Sequence, residues 1–197
     1  MFSLTFQPGL FAFAPPAGAL PHGLRYEEDF LSADEEAGLV ALLATLPLEE
    51  ARYKSYVARR RVLSFGGSFD YDANRLLPAA PLVEALHPLR GRIAGWLGIA
   101  PEALVHTLVA EYQPGTPLGW HRDVPDFEVI AGVSLGTQAT LRFRPYPPVA
   151  PKKADILRLE VAPRSLYAMR GAARWEWQHS VAPTPGLRWS LTFRTRR

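Results

Sequence analysis

The chain carries five histidines, His22, His87, His106, His121 and His179, and two of them suit metal chemistry. His121-Arg122-Asp123 offers an imidazole and a carboxylate two residues apart. On an extended segment that spacing points both side chains to one face. His179, near the end of another strand-like run, supplies a third ligand. Two histidines and one carboxylate form a facial set that leaves adjacent coordination positions open, which suits non-haem Fe(II). A His-x-Asp pair alone is far more often a surface accident or a satisfied hydrogen bond than a metal site. The same three ligands would also serve zinc in a cupin-like hydrolase or isomerase. Downstream, Arg188-Trp-Ser-Leu-Thr-Phe-Arg194 sets two arginines at an even separation. On a strand this places Arg188, Ser190, Thr192 and Arg194 on one face, with Trp189, Leu191 and Phe193 on the other. Inward-facing arginines are costly unless they meet anions, and a dicarboxylate would supply two. A solvent-facing edge strand is the alternative placement. The hydrolase reading gives these arginines no task. His22, His87 and His106 have no evident partner and read as surface or packing residues.

The elements that must position these groups fall into two halves. Ser32-Ala-Asp-Glu35 is a capping box, and Leu39, Val40, Leu42, Leu43 and Leu46 follow at helical spacing until Pro47. A second helical stripe runs over 81–96, kinked or split at Pro88 and capped by Gly98. From residue 105 the period shortens to two. Strands are predicted at 107–113, 129–135, 139–143, 156–161, 165–169, 175–181 and 189–194, with turn signals such as Pro114-Gly115 and Gly136 between them. Seven such strands argue for a sandwich, barrel or jelly roll. The proline-rich loop 145–153 is too short to separate domains.

Composition narrows the classes. At 48% hydrophobic residues the 197-residue chain is not disordered as a whole, and its length predicts one domain. No apolar run reaches the length of a membrane-spanning helix. The absence of cysteine excludes disulfides, cysteine-zinc sites, iron–sulfur clusters and thiol catalysis, and suits a cytoplasmic protein. The apolar first twenty residues lack a basic leader and are broken by Pro8, Pro15 and Pro16. Of 22 basic residues only Lys54, Lys152 and Lys153 are lysines. An arginine excess permits a nucleic-acid partner, although a compositional bias toward Arg gives the same count. The unpatterned charge predicts a monomer.

The order His121-x-Asp123, His179, Arg188-x5-Arg194 resembles the AlkB-type branch of the Fe(II)/2-oxoglutarate dioxygenases. Ala110-Glu-Tyr112-Gln-Pro-Gly115 resembles that family's Asn-x-Tyr-x-x-Gly strand and turn, and Val133-Ser-Leu-Gly136 resembles the strand after the His-x-Asp. Arg174-x5-Ser180, enclosing His179, is similar to the family's Ser-Arg-x-x-x-His-Gly segment, and 65–71 is similar to its Gly-x-x-Tyr-x-Tyr element. The resemblance covers roughly residues 60–197. It implies a double-stranded β-helix, a jelly-roll core with flanking helices, mainly β. It implies one domain over 1–197, with N-terminal helices and substrate-binding region in 1–104 and the core in 105–197. It implies Fe(II) on His121, Asp123 and His179, with O2 and 2-oxoglutarate as cosubstrates. Arg188, assisted by Tyr112, would pair with the far carboxylate of 2-oxoglutarate, and Arg194 would lie near its keto-acid end. The implied reaction is oxidative demethylation of an alkylated nucleic-acid base, releasing succinate, CO2 and formaldehyde. The same chemistry on a protein or small molecule is the alternative.

Three positions depart from the family pattern. Ala110 and Ser190 stand where the family often has Asn, so Ser190 would reach the cosubstrate through a shorter side chain. Val124-Pro125-Asp126 lacks the acidic residue two positions beyond Asp123 that base-repairing members use, and Asp126 is one position off. In the first half, Tyr53, Tyr56, Phe65, Phe69 and Tyr71 surround Arg59-Arg60-Arg61. Aromatics to stack a base beside arginines to pair phosphates suit single-stranded or locally unpaired nucleic acid, with Arg61, Phe69, Tyr71 and Asp126 as substrate residues. A hairpin packing its aromatics on the core reads the same stretch without a substrate. A binding module without catalysis would use this half and need no metal.

Overall fold

The computed structural model describes residues 20–53, 56–70, 75–149 and 155–197; Tyr71, the first nineteen residues and part of the 145–153 loop lie outside them. In chain order the elements are β1 (Leu24–Glu27), α1 (Ala33–Ala44), β2 (Glu49–Tyr53), β3 (Tyr56–Phe65), β4 (Ser68–Asp70), β5 (Arg75–Leu77) and α2 (His87–Leu97). There follow β6 (Leu104–Tyr112), β7 (Leu118–His121), β8 (Phe127–Gly136), β9 (Ala139–Pro145), β10 (Leu157–Val161), β11 (Leu166–Met169), the short α3 (Ala172–Trp175), β12 (Trp177–Val181) and β13 (Arg188–Arg196). α1 starts where the capping box places it: the Ser32 hydroxyl accepts from the Glu35 amide, and the Ser32 amide donates to Glu35 Oε2 at 2.7 Å. Pro88 splits the second stripe. A single 3-10 turn at Glu84–Leu86 precedes α2, and Gly98 closes α2 in the left-handed region with φ 74°.

The strands form two antiparallel sheets and a hairpin. The large sheet has the order β1-β11-β8-β13-β6-β3-β2, and the small sheet the order β10-β9-β12-β7. β4 and β5 pair separately. This is the jelly-roll arrangement with flanking helices. β13 is the central strand of the large sheet, hydrogen-bonded to β6 and β8 on its two sides, and so is not an edge. Its period of two separates two environments. Trp189, Leu191 and Phe193 join α1 and α2 in one core through Leu43, Leu89 and Ile93. Between the sheets a second core gathers Ile130, Leu141, Phe143, Val161, Tyr167 and Val181. Gly132 makes room for one of them: a Cβ there would stand 2.4 Å from the Tyr167 ring.

Among its described residues the second half holds eight strands, one more than the sequence predicts. The addition is β7, which carries His121; four residues are too few to display a period. Residues predicted to open a strand at 175 instead end α3, and the 53–71 stretch contributes a hairpin strand, β3, to the large sheet. Leu191 is fully buried on the central strand. Leu191→Ala is expected to cost about 3 kcal/mol through the cavity it leaves. Urea unfolding checks this, and a loss under about 1 kcal/mol would contradict the packing described.

Candidate active site

His121 closes β7 and His179 lies in β12, and the two are direct cross-strand partners. Their ring centroids are 4.1 Å apart. Asp123 follows β7 by two residues. One ligand atom from each of His121, Asp123 and His179 lies within 4.8 Å of the others. His121 Nδ1 is 2.9 Å from the Gly119 carbonyl, which only an N–H can satisfy. The proton therefore resides on Nδ1, and Nε2 keeps its lone pair for a cation. His179 Nε2 stands 3.7 Å from Asp123 Oδ2.

Arg194 fixes the carboxylate. Its Nε and Nη2 donate to Asp123 Oδ1 at 3.0 and 2.7 Å, and its Nη1 donates to His106 Nδ1 at 3.1 Å. One carboxylate oxygen is thus occupied by the guanidinium, while Oδ2 faces His179. The loop that bears Asp123 is stapled from the other side. Arg174, 3% exposed, donates through Nη2 to the carbonyls of Asp123, Val124 and Phe127 and through Nε to that of Phe127. These bonds satisfy backbone acceptors that the end of β7 leaves without a strand partner.

The electrostatics suit a divalent cation. Burial raises the Asp123 carboxyl, but Arg194, His179, His121 and Arg174 together hold it well below the usual carboxylate range. Burial pushes His179 down to about 3, helped by His121. Burial also lowers His121. At neutral pH the three groups are two neutral imidazoles and one carboxylate, the forms that bind metal.

These ligands lie at a cavity of about 1090 Å³ between the sheets. The inward face of β13, Arg188, Ser190, Thr192 and Arg194, lines it. Arg188 is 1% exposed; its Nε donates to Ser134 Oγ at 3.0 Å, and its buried Nη2 has no hydrogen-bond partner. A buried guanidinium nitrogen without an acceptor is expensive, and a carboxylate in the cavity would satisfy it. Tyr112 sits opposite Arg188 in the β13–β6 register, its ring 5.1 Å from the guanidinium carbon. Its hydroxyl accepts from Arg60 Nη1 at 3.2 Å. The donor set and the orphaned Nη2 therefore fit both an iron ion and a dicarboxylate.

The site regroups some of the residues singled out in the sequence. Arg194 lines the cavity and engages Asp123 and His106 with all three of its nitrogens. Arg61 turns away from the cavity. Its register partner is Glu111, which it pairs through two hydrogen bonds of 3.0 and 2.6 Å. Alternation in β3 gives the inward place to Arg60, which lines the cavity with Phe69. Asp126 does not line it either; it lies beside Pro125, Arg196 and Arg197 in a separate depression. His106 is not a surface residue but 6% exposed, and burial followed by the nearby Arg194 holds it down to about 3. The structure gives Arg60, His106 and Arg174 places at the site that their sequence context does not assign, and adds Tyr167 to the cavity lining. Only Arg60 and Arg174 carried a signal, the first in strand alternation and the second in the run that holds His179.

The sequence pattern of the 2OG-Fe(II) oxygenase superfamily matches residues 23–194. The chain belongs to that superfamily. The oxygenase is thus an oxidoreductase of the class that uses Fe(II), 2-oxoglutarate and O2, and the hydrolase reading falls. Over 174 residues it is 28% identical to the mouse tRNA (carboxymethyluridine(34)-5-O)-methyltransferase ALKBH8, covering 84% of this chain and 25% of that protein. The structure of OsALKBH1 matches 90% of the oxygenase and 98% of that chain with TM-score 0.70 at 14% identity. A Pseudomonas putida prolyl-4-hydroxylase matches 89% and 94% with TM-score 0.58 at 22% identity. The oxygenase spans about a quarter to a third of the length of the curated relatives it matches. Among the described residues no helix is long and apolar enough to cross a membrane.

The buried histidines make stability pH-dependent. His106 and His179 take up protons near 6.5 in the unfolded chain and near 3 in the folded one. Between those values the unfolded state binds more protons, so stability is full above the upper value and is lost as pH falls through the window. Denaturant midpoints of the metal-free oxygenase at pH 7.5 and at pH 5 are the measurement, with a clear drop expected at the lower pH. A flat profile would contradict the burial of both rings.

Proposed function

We propose that the oxygenase removes an alkyl group from a base of single-stranded or locally unpaired nucleic acid. One observation carries the oxidation chemistry: a buried Arg188 with an unsatisfied Nη2 shares a cavity with the His121–Asp123–His179 cluster. When bound, Fe(II), 2-oxoglutarate and O2 supply a two-electron oxidation that yields succinate and CO2 and inserts oxygen into a C–H bond, so that an N-methyl group leaves as formaldehyde.

His121, Asp123 and His179 hold the iron. Arg188 orients the cosubstrate through its far carboxylate, with the Tyr112 hydroxyl and Ser190 beside it. Ala110 and Val62 share the Ser190 row of the large sheet, and their small side chains leave the cavity floor open. Arg194, His106 and Arg174 are positioning residues that act on Asp123 and its loop. Phe69 lines the cavity and offers a face on which a base can stack. The carboxylate that the sequence sought in Asp126 comes from Glu49, which lines the cavity in the row of Val62 and is placed to meet a cationic alkylated base. The likeness to a relative named for a tRNA base supports a nucleic-acid substrate.

The deciding assay supplies Fe(II), 2-oxoglutarate and air with oligonucleotides carrying 1-methyladenine or 3-methylcytosine, and follows both products by mass spectrometry. Demethylation coupled to succinate is expected. Succinate without demethylation would move the substrate to another class. His121→Ala and Asp123→Ala should each abolish succinate formation, and undiminished turnover in both would remove the metal assignment. Arg188→Lys keeps the charge but loses the fork, and should raise KM for 2-oxoglutarate roughly 10- to 100-fold. An unchanged KM would detach Arg188 from the cosubstrate.

A further inference from the structure

Outside the cavity, the outer face of the small sheet presents an array of guanidinium and aromatic planes. Leu141 and Phe143 of β9 point into the core, so Arg142 and Arg144 point outward. Both lie on Trp120, which reaches across β12 from β7, with guanidinium carbons 5.4 and 4.5 Å from its ring. Each is anchored by Nε: Arg142 donates to Ser180 Oγ at 3.0 Å and Arg144 to Gln178 Oε1 at 2.8 Å. Arg158 on β10 is the direct register partner of Arg142 and is exposed. At the end of the sheet Arg122 covers Tyr146 at 3.6 Å, and Tyr146 is 40% exposed.

Four arginines gathered on one face normally call for carboxylates. Among the described residues none of the four has a carboxylate oxygen within ion-pair distance. Glu160, on the same face, accepts from Gln138 and Thr140 through Oε2 and pairs with none of the four. Arg142 and Arg144, held by their Nε atoms, keep their Nη groups for a polyanion, as does exposed Arg158, while Arg122 gives Nη1 to the Trp175 carbonyl at 3.0 Å. The face adjoins the cavity along the end of β7, where Trp120, His121 and Arg122 all border it.

We propose that this face, Arg142, Arg144 and Arg158 around Trp120 with Arg122 at its end, is the docking surface for the phosphodiester backbone of the substrate strand. The proposal rests on the nucleic-acid reading above and adds where the strand runs. Phosphates flanking the extruded base lie along the arginines, while exposed Tyr146 offers a face to a neighbouring base. Guanidiniums suit this task because each can pair a phosphate bidentately.

The test uses the full chain with Mn(II) and 2-oxoglutarate, and measures fluorescence anisotropy of a single-stranded oligonucleotide of roughly 12 nucleotides across a salt series. Three proteins are compared: the wild type, the triple variant Arg142→Gln/Arg144→Gln/Arg158→Gln, and the matching triple Lys variant. Calorimetry of 2-oxoglutarate binding reports that each is folded. The Gln variant is expected to bind at least about tenfold more weakly and to lower the salt slope by about 2, while the Lys variant keeps most of the slope. Arg158→Gln alone, at an exposed position that cannot unfold the sheet, should lower the slope by about 0.7. Wild-type affinity and slope in the Gln variants would overturn the docking surface and leave the nucleic-acid reading standing. A wild type that ignores oligonucleotides, or prefers a polyglutamate peptide, would overturn both.

Discussion

A guanidinium and a carboxylate, each side chain 9% exposed, join the two sheets at the His121–Asp123–His179 cluster. Taking Arg194 and Asp123 out of water costs several kcal/mol per ion. That cost is offset only by good geometry, and here two N–H groups converge on one carboxylate oxygen. The rest of the site follows from this contact. Asp123 stays ionised despite its burial. Its second oxygen is left facing His179. The third guanidinium nitrogen needs an acceptor, and His106 can serve only as a neutral imidazole. Arg174 then supplies donors to the carbonyls of a loop whose direction the ion pair has set.

Sheet register does the remaining positioning. His121 and His179 are neighbours because β7 pairs with β12, not because a loop brings them together. Arg188 meets Tyr112, and Arg194 meets His106, because β13 pairs with β6 residue against residue. A slip of one residue would turn all four arginine, serine and threonine side chains of β13 into the helical core. The large apolar residues on its other face make that slip prohibitive.

Much of this arrangement was legible because it is local. The capping box, the alternation in β13 and the His-x-Asp spacing each lie within a few residues, and each has a period that sequence displays. The jelly roll was legible from strand count and turn residues. What was not legible is long-range. Nothing in the sequence says that Arg174 reaches carbonyls some fifty residues away, or that His106 lies under Arg194. The roles of Arg60 and Arg61 turn on one step of alternation in β3, whose register against β6 only the fold supplies. Asp126 fails as a cavity residue because the chain turns outward after Val124, and the backbone there is tied to Arg197. Tyr71 lies outside the described residues.

β13 places its anion-facing arginines on the central strand of the largest sheet, backed by fully buried leucine and phenylalanine side chains. Local opening of such a strand costs nearly as much as global unfolding. A dicarboxylate bound there would meet a guanidinium that has already lost its rotational freedom, with little ordering entropy left to lose. Because both arginines sit on the strand whose opening is costliest, loss of their geometry on heating is tied to melting of the large sheet.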